Sequence, residues 1–429
     1  MVKSEINVKQ NSQSGMSLTV EADGWAESQA AWRFYNNENV DISSLNDPII
    51  EEVVKEINKR EGSFVLVPYD WSHIDYKNHS KKQELVSKNK KGNSKQIGYD
   101  FQSSLALDEK GNPLGALAQN LKSDLKVYST YSNNIDINST HLEELIERTR
   151  WVRANLDIDK EIVDMIDREG DSVALMREYH NNNWFYLIRA KRNAKVHLPK
   201  ENRDVKQGEL ADELPNGKFV KSIKYRVKNN KREKVNIYVN EIAVEIRRDA
   251  TKSVLQEDGT RKVISTPGKT IKSRLVVERL VDMSGNIVAQ WILLTNVPKD
   301  VDSKTIGIWY YHRWKIESYF KLLKTAGFNL ENWQQETPQA LFKRLLVVSY
   351  ACLFVWKIQN SKDKNAPAIR KFLVQLSGRL IEKGKDYTAP ALLAGLWVFM
   401  KIMNLLKIYD VEKLFEFKEQ IGDIMGSEI

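Results

Sequence analysis

Two short apolar runs, each ending on an aspartate, constrain this chain more than any other feature. The first is "SFVLVPYD", residues 63–70, and the second is "KEIVDMID", residues 160–167. Runs of this length bounded by polar residues predict buried strands, and each would leave a carboxylate where its strand stops. Between them lie "DFQSSLALD" and "LGALAQNLK", joined by the turn "EKGNP" at 109–113, which predicts a hairpin. "HLEELIERTRWVRANL" (141–156) predicts a helix, with Ser139 or Thr140 available as its cap. A helix over 171–181 and the strand "WFYLIRA" (184–190) follow the second aspartate.

Residues 191–299 change character. Short β-branched runs such as "VNIYVNEIAVEI" and "QWILLTNV" alternate with polar turns, and from 303 onward the chain reads as helical. Residues 1–60 are polar, with helix-like segments at 24–36 and 47–60. Strand–Asp, hairpin, helix, strand–Asp, helix, strand and a late helix bearing a glutamate is the order of an RNase H-like α/β core. The expected fold is therefore a mixed sheet flanked by helices, interrupted by a β-rich insertion, with helical N- and C-terminal regions. The expected divisions are 1–60, a short polar N-terminal region to which the resemblance given below assigns DNA binding, and 61–190, the first part of the core. They continue with 191–300, the insertion, then 301–335, the glutamate helix, and 336–429, a helical region suited to dimerisation.

Composition narrows the partners. With 429 residues, 41% of them hydrophobic, the chain can bury a substantial core in two to three domains. A net charge of +9 and a pI near 9.1 point towards a polyanion. Cys352 is the only cysteine, which excludes a disulfide framework, a zinc–cysteine cluster or a paired-cysteine redox site within one chain. The first fifteen residues are polar and lack the apolar core of a secretory signal. Two stretches are strongly apolar, 345–356 and 391–406. The first is too short to span a bilayer and the second is interrupted by Lys401 and Asn404, so both read as buried helices of a soluble, cytoplasmic protein with no membrane partner.

The third carboxylate lies in "YYHRWKIESYFKLLKTAG", residues 310–327. Read as one helix at about 100° per residue, Tyr310, Arg313, Glu317 and Lys324 fall within roughly 60° of one another, with Lys321 on the same stripe. His312 points away from that stripe. One carboxylate among cations and a phenol suits a metal ion beside a phosphate. Asp70, Asp167 and Glu317 together form an all-oxygen set of the kind Mg²⁺ prefers, and two ions about 4 Å apart serve in-line phosphoryl chemistry. Each residue alone has a blander reading, since an aspartate that closes a strand commonly caps a turn and a helix glutamate commonly forms a salt bridge. Asp75 competes for the first position, and Asp164 and Asp171 for the second.

The spacing Tyr310-x2-Arg313-x3-Glu317-x6-Lys324 resembles the Y-R-E-K signature of the IS4-family transposases. "IDREGDS" around Asp167, "YDWSHIDYKNH" around Asp70, "WFYLIRAKR", "QWILLTNVP" and "SGMSLTVEADGWAESQAAWRFYNNENV" are similar to further segments of that family, so the resemblance covers most of residues 14–400. It implies a DDE triad of Asp70, Asp167 and Glu317 holding Mg²⁺ (or Mn²⁺), and cut-and-paste transposition of an insertion sequence. It further implies that Tyr310, Arg313, Lys321, Lys324, Arg189 and Lys191 contact DNA, that Trp291 stacks an extruded base, and that a homodimer joins two double-stranded element ends to target DNA in the bacterial nucleoid. Two departures stand out. Trp71 replaces the family's usual Thr after the first aspartate, and only thirteen residues precede the "SGMS" segment. The latter implies end binding through the Lys-rich stretch 77–95, or a shortened transposase acting as a DNA-binding inhibitor. A stand-alone metal-dependent DNA nuclease on the same fold is the other alternative.

Overall fold

The computed structural model describes residues 24–89, 95–226, 232–255, 261–379 and 387–425. The "SGMSLTVEA" part of the N-terminal resemblance lies outside these. Two compact units emerge. One comprises the described residues of 1–45, 74–99 and 319–429, and the other 46–73 and 100–318.

The second unit is built on a mixed sheet. Its strands are β1 (Phe64–Asp75), β3 (Lys95–Leu107), β4 (Pro113–Lys122), β5 (Val127–Ser129), β6 (Glu161–Ile166), β7 (Phe185–Arg189), β8 (Lys195–Leu198), β9 (Arg203–Lys206), β11 (Arg232–Ile246), β14 (Ile271–Asp282) and β15 (Ile287–Thr295), with β2 (Val86–Asn89) preceding β3 in the chain. The order across the sheet is β5-β4-β3-β1-β6-β7-β15-β14-β11-β8-β9. β10 (Lys218–Arg226) pairs with β11, and β12 (Ala250–Leu255) with β13 (Arg261–Thr266) as a separate ribbon. β1, β6 and β7 are parallel, with Leu66 opposite Val163 and Val163 opposite Phe185. β15 then adds antiparallel to β7, pairing Leu294 with Ile188. The β-rich stretch therefore extends the core sheet itself. Val65, Leu66, Val67, Val163, Met165, Leu187 and Ile188 are almost fully buried, as parallel strands covered on both faces require.

Helices cover this sheet. Leaving aside α1 (Gly24–Asn36) and α2 (Ile42–Asn58), they are α3 (His141–Asn155), α4 (Val173–Asn181), α5 (Gln207–Glu213) and α6 (Ser303–His312). Of the two expected caps it is Thr140 that caps α3, in a full capping box with Glu143. α3 packs on β4, α4 on β7 and β14, and α6 on β11 and β14.

The first unit is mainly helical, with β2 and the start of β3 also within it. α7 (Trp314–Lys324) runs into it, followed by α8 (Pro338–Asn360), α9 (Ala366–Leu376), α10 (Ala389–Ile408) and α11 (Val411–Met425). α8 carries the apolar stretch 345–356 and is buried over most of its surface, Cys352 included. Ala31 and Tyr35 of α1 pack on Ala340 and Val347 of α8. α9 and α10 cross so closely at Gly395 that a Cβ there would meet the Leu373 carbonyl oxygen at 1.6 Å. The expectation that 391–406 is a buried helix holds only for its first half. Leu392, Leu393 and Trp397 are buried, whereas Ile402, Leu405 and Ile408 are 37%, 46% and 62% exposed. By length and composition alone α10 could cross a membrane. The Lys-rich stretch is also less free than its composition suggests. Lys82 is buried, donates to the Gln335 carbonyl at 2.5 Å and lies 4.0 Å from the Tyr76 ring centre. Burial, with Arg344 nearby, pushes its ammonium down to about 7.

Candidate active site

Strand alternation directs Asp70. Along β1, Phe64 meets the Trp309 ring of α6 at 5.1 Å, while Tyr69 lies 5.5 Å from the Arg148 guanidinium of α3. Side chains alternate between faces, so Asp70, an even number of residues from Phe64, projects towards the α6 side. Arg313 meets it there. Arg313 Nη1 donates to Asp70 Oδ2 at 2.7 Å and Nη2 donates to Glu317 Oε1 at 2.9 Å, so one guanidinium bridges two of the three expected carboxylates.

The bridging residue lies at a break in what the sequence presents as one helix. α6 ends at His312 and α7 begins at Trp314. At the junction the Arg313 N–H donates to the Tyr310 carbonyl and the Ile316 N–H to the Arg313 carbonyl, at 3.0 and 3.2 Å. These are the tighter i→i+3 bonds of a 3₁₀ turn. Tyr310 therefore belongs to the end of one helix and Glu317 to the first turn of the next. The single-face wheel drawn over 310–324 does not hold across the junction, although the adjacency of Arg313 and Glu317 does.

Asp167 follows β6 directly and caps a 3₁₀ turn over Arg168–Gly170, its Oδ1 accepting the Glu169 N–H at 2.8 Å. Burial raises its pKa, and the negative charges of Glu169 and Asp70 add to that. Glu317 is likewise raised by burial and by Asp70, against the pull of Arg313. Asp70 thus sits close enough to oppose ionisation of both partners. Tyr310 is buried and its phenol is pushed up to about 12 despite the cations Arg313 and Arg189 beside it. Burial, then Arg168, hold Arg189 below the usual guanidinium range. The structure therefore gathers Asp70, Asp167, Glu317, Arg313, Tyr310 and Arg189 into one neighbourhood.

The competing aspartates are engaged elsewhere. Asp164 is fully buried on β6 and paired with Arg153 at 2.7 Å. Asp171 is buried against Arg248 and accepts the Lys191 N–H at 2.7 Å. Asp75 accepts the Lys77 N–H at 3.0 Å, as a turn residue does.

The remaining sequence candidates fall in other settings. Lys191 is exposed, with its Nζ donating to the Asp171 carbonyl at 3.0 Å. Trp291 packs against the cluster of Val235, Ile237 and Leu280, edge-on to Tyr225. Lys321 and Lys324 belong to the first unit, where Lys324 pairs with Glu331 at 3.3 Å. His312 stacks over the hairpin turn, so that a Cβ on Gly111 would meet its ring at 2.3 Å. Burial, then Lys315 and Lys221, depress its imidazole to about 4, which keeps it neutral and outside the site's proton chemistry.

A cleft opens beside the carboxylates, lined by Tyr69, Asp70, Trp71, Gln102, His141, Glu144, Arg148, Asp167 and Glu169 among others. Trp71 and His141 line it although sequence reasoning gave them no role; the only signal was the departure from the usual residue after Asp70. Asp70, Asp167 and Glu317 offer the hard oxygen donors that a divalent cation selects. Burial raises the Asp167 and Glu317 carboxyls, and the charge of Asp70 adds to it. Among the described residues no three His, Cys, Asp or Glu side chains close around a common point, and Arg313 stands between two of the carboxylates.

Comparison with protein families decides the class. The family model for the transposase DDE domain matches residues 62–354. The chain belongs to the DDE transposase family. The matched span runs from the start of β1 to within α8 and includes all three carboxylates. As a DDE transposase the chain has DNA as its partner, and the class uses divalent metal ions. The mixed sheet flanked by helices agrees with the RNase H-like core expected from the order of elements.

Proposed function

We propose that this DDE transposase is of the IS4 type, with the Tn5 transposase as the member it resembles, and that it moves an insertion sequence by cut and paste. The observation that carries this reading is the Arg313 bridge, which ties Asp70 of β1 to Glu317 of the Y-R-E-K segment. Asp70, Asp167 and Glu317 are the proposed catalytic set and would hold Mg²⁺, with Mn²⁺ able to substitute. A divalent cation bound there supplies Lewis-acid stabilisation of phosphoryl charge and makes a water or a 3′-hydroxyl nucleophilic near neutral pH.

The protein's own residues do the rest. Arg313 holds two carboxylates at a fixed separation and keeps further N–H donors for a phosphate. Tyr310, kept protonated by burial, remains a hydrogen-bond donor to a phosphate oxygen. Arg189, Lys191, Lys321 and Lys324 add phosphate contacts that set the register of the strand, and Trp291 offers an aromatic face for an extruded base. In sequence, water cleaves one strand at the element end and leaves a 3′-hydroxyl. That hydroxyl attacks the opposite strand and closes a hairpin, a second water reopens it, and the 3′-end is joined to target DNA. Paired ends call for two copies of the chain. The apolar face of α10 around Ile402, Leu405 and Ile408 suits contact with a second copy.

The test is a DNA fragment carrying the inverted repeat that flanks the gene, incubated with the protein in Mg²⁺ or EDTA and resolved on a denaturing gel. A Mg²⁺-dependent nick and hairpin at the boundary is expected. Cutting without hairpin or joined products would leave a nuclease, and binding without cutting would leave an inhibitor.

A further inference from the structure

A second cavity shares no residue with the carboxylate cleft. It measures about 150 Å³ and is formed by the sheet and α6, with Val220, Ile223 and Ile237 on one side and Ile308 and Tyr311 on the other. Lys221, Lys224 and Lys304 also line it, and Lys221, Lys224 and Tyr311 reach solvent. Its one acid is Glu278 of β14, which is 6% exposed. Among the described residues Glu278 makes no hydrogen bond, although Lys221 pulls against its burial. Gly307 leaves room for the carboxyl, since a Cβ there would lie 2.7 Å from Glu278 Oε2. A buried carboxylate without donors costs stability, and an occupant that brings donors removes that cost.

Chemistry narrows the occupant. Three ammonium groups repel a cation and attract phosphate. An apolar cavity of about 150 Å³ takes a benzene-sized ring, but a purely apolar ring would leave the carboxylate unsatisfied. A carboxylate only accepts hydrogen bonds. It therefore suits a ring edge with two adjacent N–H donors and rejects one on which donor and acceptor alternate. Guanine has the first kind of edge, its N1–H beside the 2-amino group on the six-membered ring, and adenine has the second. We infer that this cavity binds a guanine nucleotide, with the base edge on Glu278 and the phosphates on Lys221, Lys224 and Lys304. The inference goes beyond the transposase reading and does not rest on it. A free nucleotide and a guanine on a DNA strand carry the same groups, so the probes must tell them apart.

The experiment titrates the full chain with guanosine, inosine and adenosine 5′-diphosphates by calorimetry, in EDTA at about pH 8. Burial raises the empty carboxyl to about 7, so it is ionised under these conditions. Inosine differs from guanosine only in lacking the 2-amino donor. The guanosine nucleotide is expected to bind about 5- to 150-fold more tightly than the adenosine one, the worth of one bidentate contact to a base edge. The inosine nucleotide should fall between them. Glu278→Gln should erase this ranking, and Lys224→Ala should weaken all three alike. The second arm uses a duplex with a short single-stranded guanine tail and its inosine counterpart. A guanine preference among the free nucleotides assigns the site to them, and one seen on the tails alone assigns it to DNA. No guanine preference in either arm overturns the site, and because the wild-type protein gives that answer, a misfolded variant cannot obscure it.

Discussion

Two arginine–carboxylate clusters sit in the same unit and behave differently. In the first, Asp164 pairs with Arg153 and Glu144 with Arg148, with side-chain exposures of 0%, 13%, 6% and 3%. Each carboxylate there has an arginine of its own. In the second, Arg313 divides itself between Asp70 and Glu317, which are 22% and 34% exposed. Two carboxylates share one guanidinium there, and with Asp167 and Arg189 the three carboxylates face two guanidiniums, which leaves one negative charge over. Asp164 and Asp167 are three residues apart on one strand and its exit, so sequence position hardly separates them. Compensation and access to water do: a closed pair holds the fold, while an under-compensated set at a cleft retains affinity for a cation.

The largest expected effect tests that division directly. Glu317→Gln should reduce Mg²⁺-dependent cleavage to background while end-DNA binding and the urea midpoint barely move, because it removes a cation ligand on a part-exposed helix turn. Wild-type cleavage by this variant would place the catalytic carboxylate elsewhere. Asp164→Asn should do the reverse. Leaving Arg153 buried without its partner costs about 3–5 kcal/mol, readable as a lowered urea midpoint, while the folded fraction cleaves at the normal specific rate. If Asp164→Asn instead abolishes cleavage with stability intact, the two clusters have been assigned the wrong way round.

Glu278 sharpens the comparison as a buried carboxyl with no arginine partner among the described residues. It is 6% exposed on β14, beneath α6, and a Cβ on Gly307 would lie 2.7 Å from its Oε2. Burial, against the pull of Lys221, raises it from the usual 4.5 to about 7. An acid raised in the folded state gives stability that is fully present below pH 4.5 and lost as pH rises through about 7. Glu278→Gln should therefore change little near pH 4.5 and stabilise the protein at pH 8 by on the order of 3 kcal/mol. Denaturant melts at the two pH values check this, and an equal effect at both would mean the carboxylate finds compensation in solution.

Much of this was legible in the chain. The second apolar run, the "EKGNP" hairpin and the helix cap expected at Ser139 or Thr140 are local signals, and each formed near its expected bounds. What was not legible depended on tertiary partners. β1 runs past Asp70 to Asp75 because His73 finds Asp100 at 3.0 Å and Ile74 is buried, neither visible in "WSHID". At the break Arg313 reaches another strand's carboxylate, a partner that the continuous helical pattern does not show. α10 reads the same whether its apolar residues meet the protein's own core or something else, so composition could not tell its buried half from its exposed half. Asp164 and Asp171 differ from Asp167 in pairing with Arg153 and Arg248, partners that no local pattern shows.

The smallest expected effect concerns a third kind of ion pair. Lys324 and Glu331 stand 3.3 Å apart in the first unit, with side chains 19% and 33% exposed. Pairs with this much access to water contribute only about 0–1 kcal/mol to stability, so Lys324→Ala should leave the melting curve almost unchanged. Its consequence should appear in DNA binding. Losing one phosphate contact lowers the slope of log affinity against log salt by about 1 and weakens binding to all sequences alike. Titration of end DNA and unrelated DNA across a salt series separates the possibilities. An unchanged slope with a lowered melting temperature would make Lys324 a member of the first, structural kind of cluster, and the Y-R-E-K spacing would then reach the DNA through Tyr310 and Arg313 alone.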